Sequence, residues 1–127
     1  MTITKDQVLT ALAQLGGTPD EVAHTLERMG IRGARASFSR DPIVGYLKRK
    51  LDKAEHFETS EMWVWWGACG KAEEVDTPEP VRQFMHAFDH LGHYGHLVDP
   101  KAETAQLAED RENTPEGEDT ADLFAAP

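Results

Sequence analysis

Apolar residues recur at helical spacing three times in the first half of the chain, each time behind a start signal. Thr4-Lys5-Asp6-Gln7 has the form of a capping box: the threonine hydroxyl accepts from the third helical amide while the glutamine reaches back to the Thr4 amide. The helix it opens carries Val8, Leu9, Leu12 and Leu15 on one face. It stops at Gly16-Gly17, because glycine readily enters the left-handed cap conformation. Thr18-Pro19-Asp20-Glu21 opens a second helix, with Val22, Leu26 and Met29 as its buried stripe and Gly30 as its end. A basic, flexible connection, Gly30 to Arg35, leads to Asp41-Pro42 and a third helix predicted to run to about Ala54. There Ile43, Val44, Leu47 and Leu51 share one narrow arc, and Tyr46, Arg49, Lys50 and Lys53 share another.

After Glu61 the period shortens to two. Met62, Val64 and Trp66 alternate with Trp63 and Trp65, so both faces of this strand are apolar and both need cover. All three tryptophans lie in it, which makes it a central strand or a docking surface. Shorter segments at 56–58 and 72–75, set off by Thr59-Ser60 and by Gly67-Ala68-Cys69-Gly70, complete an antiparallel meander. Thr77-Pro78-Glu79-Pro80 then caps a fourth helix. Its Val81, Phe84, Met85, Phe88 and Leu91 are expected to pack on the sheet against the tryptophans, before Gly92 closes it. The predicted class is α+β: three N-terminal helices, a small antiparallel β-meander, a fourth helix and a disordered acidic C-terminal tail.

Composition sets the expected boundary of the compact domain. From Pro100 onward the chain is rich in Glu, Asp, Ala and Thr, too poor in large apolar residues to offset the entropy of ordering. Residues 1–99 are therefore predicted as the folded domain and 100–127 as a disordered tail with a transient helix near 101–111. A body of that size buries roughly 60–65% of the surface its unfolded chain exposes, so it folds without metal or disulfides and no cofactor is expected. The one cysteine, Cys69, cannot form an internal disulfide, which fits a reducing cytoplasm. Neither a spanning apolar run nor a signal-peptide core is visible, so a cytoplasmic protein without a membrane partner is expected.

Charge divides the chain further. The formal net charge is −10, and residues 100–127 hold eight acids against Lys101 and Arg111. Residues 30–53 instead hold seven cations, Arg32, Arg35, Arg40, Lys48, Arg49, Lys50 and Lys53, against Asp41 and Asp52. Such asymmetry bears on partners rather than on fold. A solvated outer face accounts for the basic arc of helix three. Alternatively, the order of three helices and a hairpin matches a winged helix, in which Tyr46, Arg49, Lys50 and Lys53, with Arg32 and Arg35, contact nucleic-acid phosphates.

The densest set of candidate ligands is His86, His90, His93 and His96 with Asp99. His86 and His90, at i and i+4, have the spacing to share a zinc or nickel ion, although their phase opposite the apolar stripe equally suits titratable surface residues. No serine or cysteine has a recognisable base beside it, so no catalytic residue is assigned and a non-enzymatic role is expected.

Gly30-Ile31-Arg32-Gly33, Asp41-Pro42-Ile43-Val44-Gly45-Tyr46-Leu47-Lys48, Val75-Asp76-Thr77-Pro78 and Phe84-Met85-His86-Ala87-Phe88-Asp89 together resemble a family of small uncharacterised actinobacterial and actinophage proteins. The resemblance covers about 1–98. It implies a bacterial or phage cytoplasmic setting and no particular activity. That family often has cysteine in place of Asp41, and the helix-four histidines are not part of its pattern. In the tail, Thr120-Ala121-Asp122-Leu123-Phe124 resembles the pentapeptide by which bacterial proteins dock on the replication sliding clamp, without its leading glutamine. The expected function is accordingly a protein-interaction module. Trp63 and Trp65 on the strand and Leu123 and Phe124 in the tail are its contacts, with nucleic-acid binding and histidine-based metal binding as alternatives.

Overall fold

A computed structural model describes residues 3–67 and 72–112. The class is α+β, as predicted. In chain order the elements are α1 (Lys5–Ala13), α2 (Pro19–Arg28), α3 (Pro42–Lys50), β1 (Phe57–Thr59), β2 (Trp63–Trp66), β3 (Glu73–Asp76), α4 (Glu79–His90), a single 3-10 turn at Gly95–Leu97, and α5 (Pro100–Glu112). The strands form one antiparallel sheet of order β1-β2-β3, in which Val64 faces Thr59 on one side and Val75 on the other.

The N-terminal start signals act as the sequence predicts. Thr4 Oγ1 accepts from Gln7 N at 3.1 Å and Gln7 Oε1 accepts from Thr4 N at 2.8 Å, which closes the capping box. Thr18 Oγ1 accepts from Glu21 N at 3.1 Å, and Asp41 Oδ1 accepts from Ile43 N at 2.7 Å. Thr77 does not cap α4. Its hydroxyl donates to Ser60 O at 2.8 Å instead, tying the end of β3 to the loop between β1 and β2. Helix α3 ends about a turn before Ala54, because Asp52 makes a turn of its own in which Oδ1 accepts from Ala54 N at 2.9 Å.

The core draws on every layer: Val8, Leu12 and Leu15, Val22 and Leu26, Ile43 and Leu47, Phe57, Val64 and Trp66, and Phe84 and Phe88. Leu9 stays largely outside, and Ala11 takes its place on the buried side of α1. Helix α4 buries Val81, Phe84, Met85 and Phe88, but it packs chiefly against α2 rather than on the sheet. The inner sheet edges are covered instead by α3 against β1 and α1 against β3. Leu91, expected in that stripe, is the C-cap and is exposed.

The connection from Gly30 to Asp41 is pinned rather than flexible. Gly33 N donates to Leu97 O at 2.8 Å and Asp99 N donates to Gly33 O at 2.9 Å, a parallel bridge to the C-terminal segment. A Cβ on Gly33 would stand 2.5 Å from both Arg40 O and Pro42 N, so only glycine fits there. The segment after Pro100 starts with α5, where the sequence suggested only a transient helix, and Glu103 anchors it by accepting from Arg35 N at 2.5 Å. Residues 113–127, with Leu123 and Phe124, and the turn containing Cys69 lie outside the described residues. No helix is long and apolar enough to cross a membrane among the described residues.

Candidate functional site

Strand β2 sorts the tryptophans as alternation requires. Val64 and Trp66 point into the core, where Trp66 Nε1 donates to Ile3 O at 3.3 Å. Trp63 and Trp65 stand on the other face, half-buried. Met62, one residue before the strand, does not join the inner set and is 76% exposed.

The loop between α2 and α3 is held beside that outer face, where Thr59 N donates to Phe38 O at 2.9 Å. The Arg35 guanidinium lies over the Phe88 ring, 4.7 Å from its centroid, and donates to the Phe88 carbonyl and, at 3.2 Å, to His93 O. The next residue, Ala36, adopts the left-handed conformation and gives its amide to Asp89 Oδ1 at 2.8 Å. These anchors fix the loop against α4 and project Phe38 outward, 60% exposed, with its ring 5.8 Å from that of Trp63. The facing wall is the loop between β1 and β2, organised by Ser60, whose Oγ accepts from Met62 N and from Trp63 N, each at 3.1 Å.

Between the two loops and α4 lies a cleft of about 560 Å³, lined by Ala36, Ser37, Phe38, Thr59, Ser60, Glu61, Met62, Trp63, Asp89 and His90. Its apolar wall is Phe38, Met62 and Trp63; its polar rim is Glu61, Asp89 and His90. Thr59 keeps a buried hydroxyl without a hydrogen-bond partner among the described residues. Burial pushes the Asp89 carboxyl above the ordinary carboxylate range, against the opposing effects of the Ala36 amide and His90. Asp41, behind it, is fully buried, and burial together with the Asp89 charge raises its carboxyl well above that range, while the Ile43 amide lowers it.

At the rim, Glu61 meets the two helical histidines. His86 Nδ1 is 3.3 Å from Glu61 Oε1, and His90 Nε2 is 3.1 Å from Glu61 Oε2. The remaining members of the histidine-rich segment go elsewhere: His96 pairs with Glu27 at 3.6 Å, His93 packs edge-on to Tyr94, and Asp99 Oδ1 accepts from Lys101 N at the start of α5.

The predicted nucleic-acid face is dispersed. Tyr46 is a core residue, 1% exposed, whose hydroxyl donates to Ala11 O at 2.5 Å; its place on the basic arc is overturned because α1 covers that side of α3. Arg35 is committed to Phe88. Arg32 and Arg49 do share a shallow depression of about 590 Å³ with Lys101 and Asp99, while Lys50 and Lys53 are exposed outside it. Trp65 lies away from the cleft, edge-on to His56 with ring centroids 5.7 Å apart. Phe38, Glu61, Met62 and Asp89 are the site residues that sequence reasoning missed. Glu61 is 25 residues from His86, and no local spacing signals that pair.

No protein-family model, no characterised protein and no solved structure matches this chain.

Proposed function

We propose that this protein is a small non-enzymatic binding module that takes a segment of a partner protein into the cleft between Phe38, Trp63 and α4. The observation that carries it is the pairing of Phe38 and Met62, both more than half exposed, across a cleft with Trp63 in its wall. Large apolar side chains exposed together mark contact surfaces, and aromatic residues dominate such contacts energetically. The acidic groups at the rim, Glu61 and Asp89, define the partner's chemistry: an apolar anchor flanked by a lysine or arginine. The tail residues Leu123 and Phe124 follow Asp122 and have no lysine or arginine beside them, so they complement this rim poorly and a second protein is the favoured occupant.

A displayed random-peptide library screened against the full chain tests this. Selected peptides are expected to share an apolar anchor next to a cation and to lose binding to the Phe38→Ser, Met62→Ser double variant, whose melting temperature stays within a degree or two. No enrichment, or identical enrichment on the double variant, would overturn the assignment. Tighter peptide binding by Leu123→Ala, Phe124→Ala would identify the chain's own tail as the occupant. A second, nucleic-acid reading rests on the convergence of Arg32, Arg49 and Lys101 on one depression.

A further inference from the structure

The geometry points to a divalent transition-metal site formed by Glu61, His86 and His90 at the rim of the cleft. One candidate ligand atom from each residue lies within 4.8 Å of the others. Tetrahedral donors around zinc at about 2.0–2.2 Å are roughly 3.3–3.6 Å apart. The Glu61–His86 and Glu61–His90 separations, 3.3 and 3.1 Å, are already close to that span. The imidazoles sit one helical turn apart with ring centroids 5.3 Å from each other, and both are exposed, so small rotations complete the approach.

Three features separate this cluster from an incidental surface pair. The backbone carrying Glu61 is held on both sides: Ser60 N donates to Trp63 O at 2.9 Å, and Thr77 N donates to Met62 O at 3.1 Å. The nearby cation that would compete for Glu61, Arg82, is taken by Glu79, with Nε 2.9 Å from Oε1. Asp89, next to His90 in the chain, adds a second carboxyl to the cleft that Glu61 and His90 line. Two imidazole nitrogens and one carboxylate oxygen suit zinc or nickel over the hard cations magnesium and calcium. With three protein ligands the ion retains at least one open position. Because Glu61 and His90 also line the cleft, the ion stands at its edge. Ligation joins the loop between β1 and β2 to α4, across which Glu61 already pairs with the histidines. The site does not depend on peptide binding in the cleft, and a bound ion would compete with a partner's lysine or arginine for Glu61.

Titration calorimetry of the full chain with zinc chloride, after chelator treatment, tests this directly. One saturable site per chain is expected, with a melting temperature that rises with zinc concentration. Glu61→Gln, which preserves shape, is expected to weaken zinc binding at least about tenfold. His86→Ala with His90→Ala is expected to abolish it, and His93→Ala with His96→Ala to leave it unchanged. Folding of each variant is checked by its melting curve without metal. Absence of binding at 100-fold molar excess of zinc, or equal binding by Glu61→Gln and the native chain, would overturn the site.

Discussion

Tyr46 offers the sharpest test of how this fold uses its third helix. Viewed along the sequence, the residue belongs to the basic arc of α3; in the structure it is buried, and its hydroxyl donates to Ala11 O. Removing the hydroxyl alone, Tyr46→Phe, deletes one hydrogen bond. The Ala11 carbonyl also accepts from Gln14 N at 3.2 Å, so it is not orphaned by the change. The loss therefore belongs at the ordinary net value of one buried hydrogen bond, about 1 kcal/mol, and not at the larger penalty of an unsatisfied group. For a domain of this size that lowers the melting temperature by about 4–8 °C. Tyr46→Ala removes the ring as well and leaves a cavity beneath α1, for a loss of about 3–5 kcal/mol. On a solvated face both substitutions would fall within about 0.5 kcal/mol of neutral. Urea unfolding followed by tryptophan fluorescence, with thermal melts in parallel, resolves these cases. A Tyr46→Ala chain that unfolds within 1 kcal/mol of the native chain would refute the buried placement and restore the tyrosine to the exposed face.

Further outcomes follow from the same packing. Trp66→Ala should lose about 3–5 kcal/mol because the ring is in the core, whereas Trp65→Ala, half-buried on the outer face, should lose distinctly less; equal losses in urea melts would contradict the sorting of the strand. Asp41 and Asp89 both hold their protons to higher pH in the fold than in the unfolded chain, so the folded state binds more protons above the ordinary carboxylate range. Their contribution therefore falls as pH rises from about 4. Asp41→Asn keeps an oxygen for the Ile43 amide and removes that titration, so its stability relative to the native chain should improve from pH 4.5 to 7.5, and a constant difference across that window would exclude the effect. Arg35→Met should lose about 1–3 kcal/mol through the Phe88 ring and the two carbonyls, with no change in the salt dependence of any DNA binding. Arg49→Ala, which removes one hydrogen bond from an exposed guanidinium to the Met29 carbonyl, should cost at most about 1 kcal/mol while lowering DNA affinity and flattening its salt slope in a fluorescence anisotropy titration, if the basic depression takes phosphates.

What the sequence by itself determined is local. Caps at Thr4, Thr18 and Asp41 are short-range hydrogen bonds between residues two or three apart, and they start their helices where the pattern indicates. The alternation of Val64 and Trp66 with Trp63 and Trp65 sorted those side chains to two faces before any packing was considered, because a strand has no other way to place them. Val22 and Leu26 of the α2 stripe and Val81, Phe84, Met85 and Phe88 of the α4 stripe are likewise buried, while the last member of each, Met29 and Leu91, falls at the C-cap. Only the tertiary structure decided what each exposed-looking group does. A helical wheel assigns Tyr46 by angle alone; whether that angle faces water depends on α1, which lies 35 residues away from it at the hydrogen-bonded Ala11. Charge placed Arg35 among the candidate phosphate contacts, but Phe88, 53 residues on, claims it through an aromatic face and a carbonyl that composition does not reveal. The histidine pair was visible as i and i+4, yet its carboxylate, Glu61, comes from a different loop, and Phe38 meets Trp63 where Gly33, Arg35 and Ala36 pin their loop to the C-terminal half and Thr59 N donates to Phe38 O. A periodic pattern records which side of an element is apolar. It does not record which other element covers that side, and the site is built from those choices.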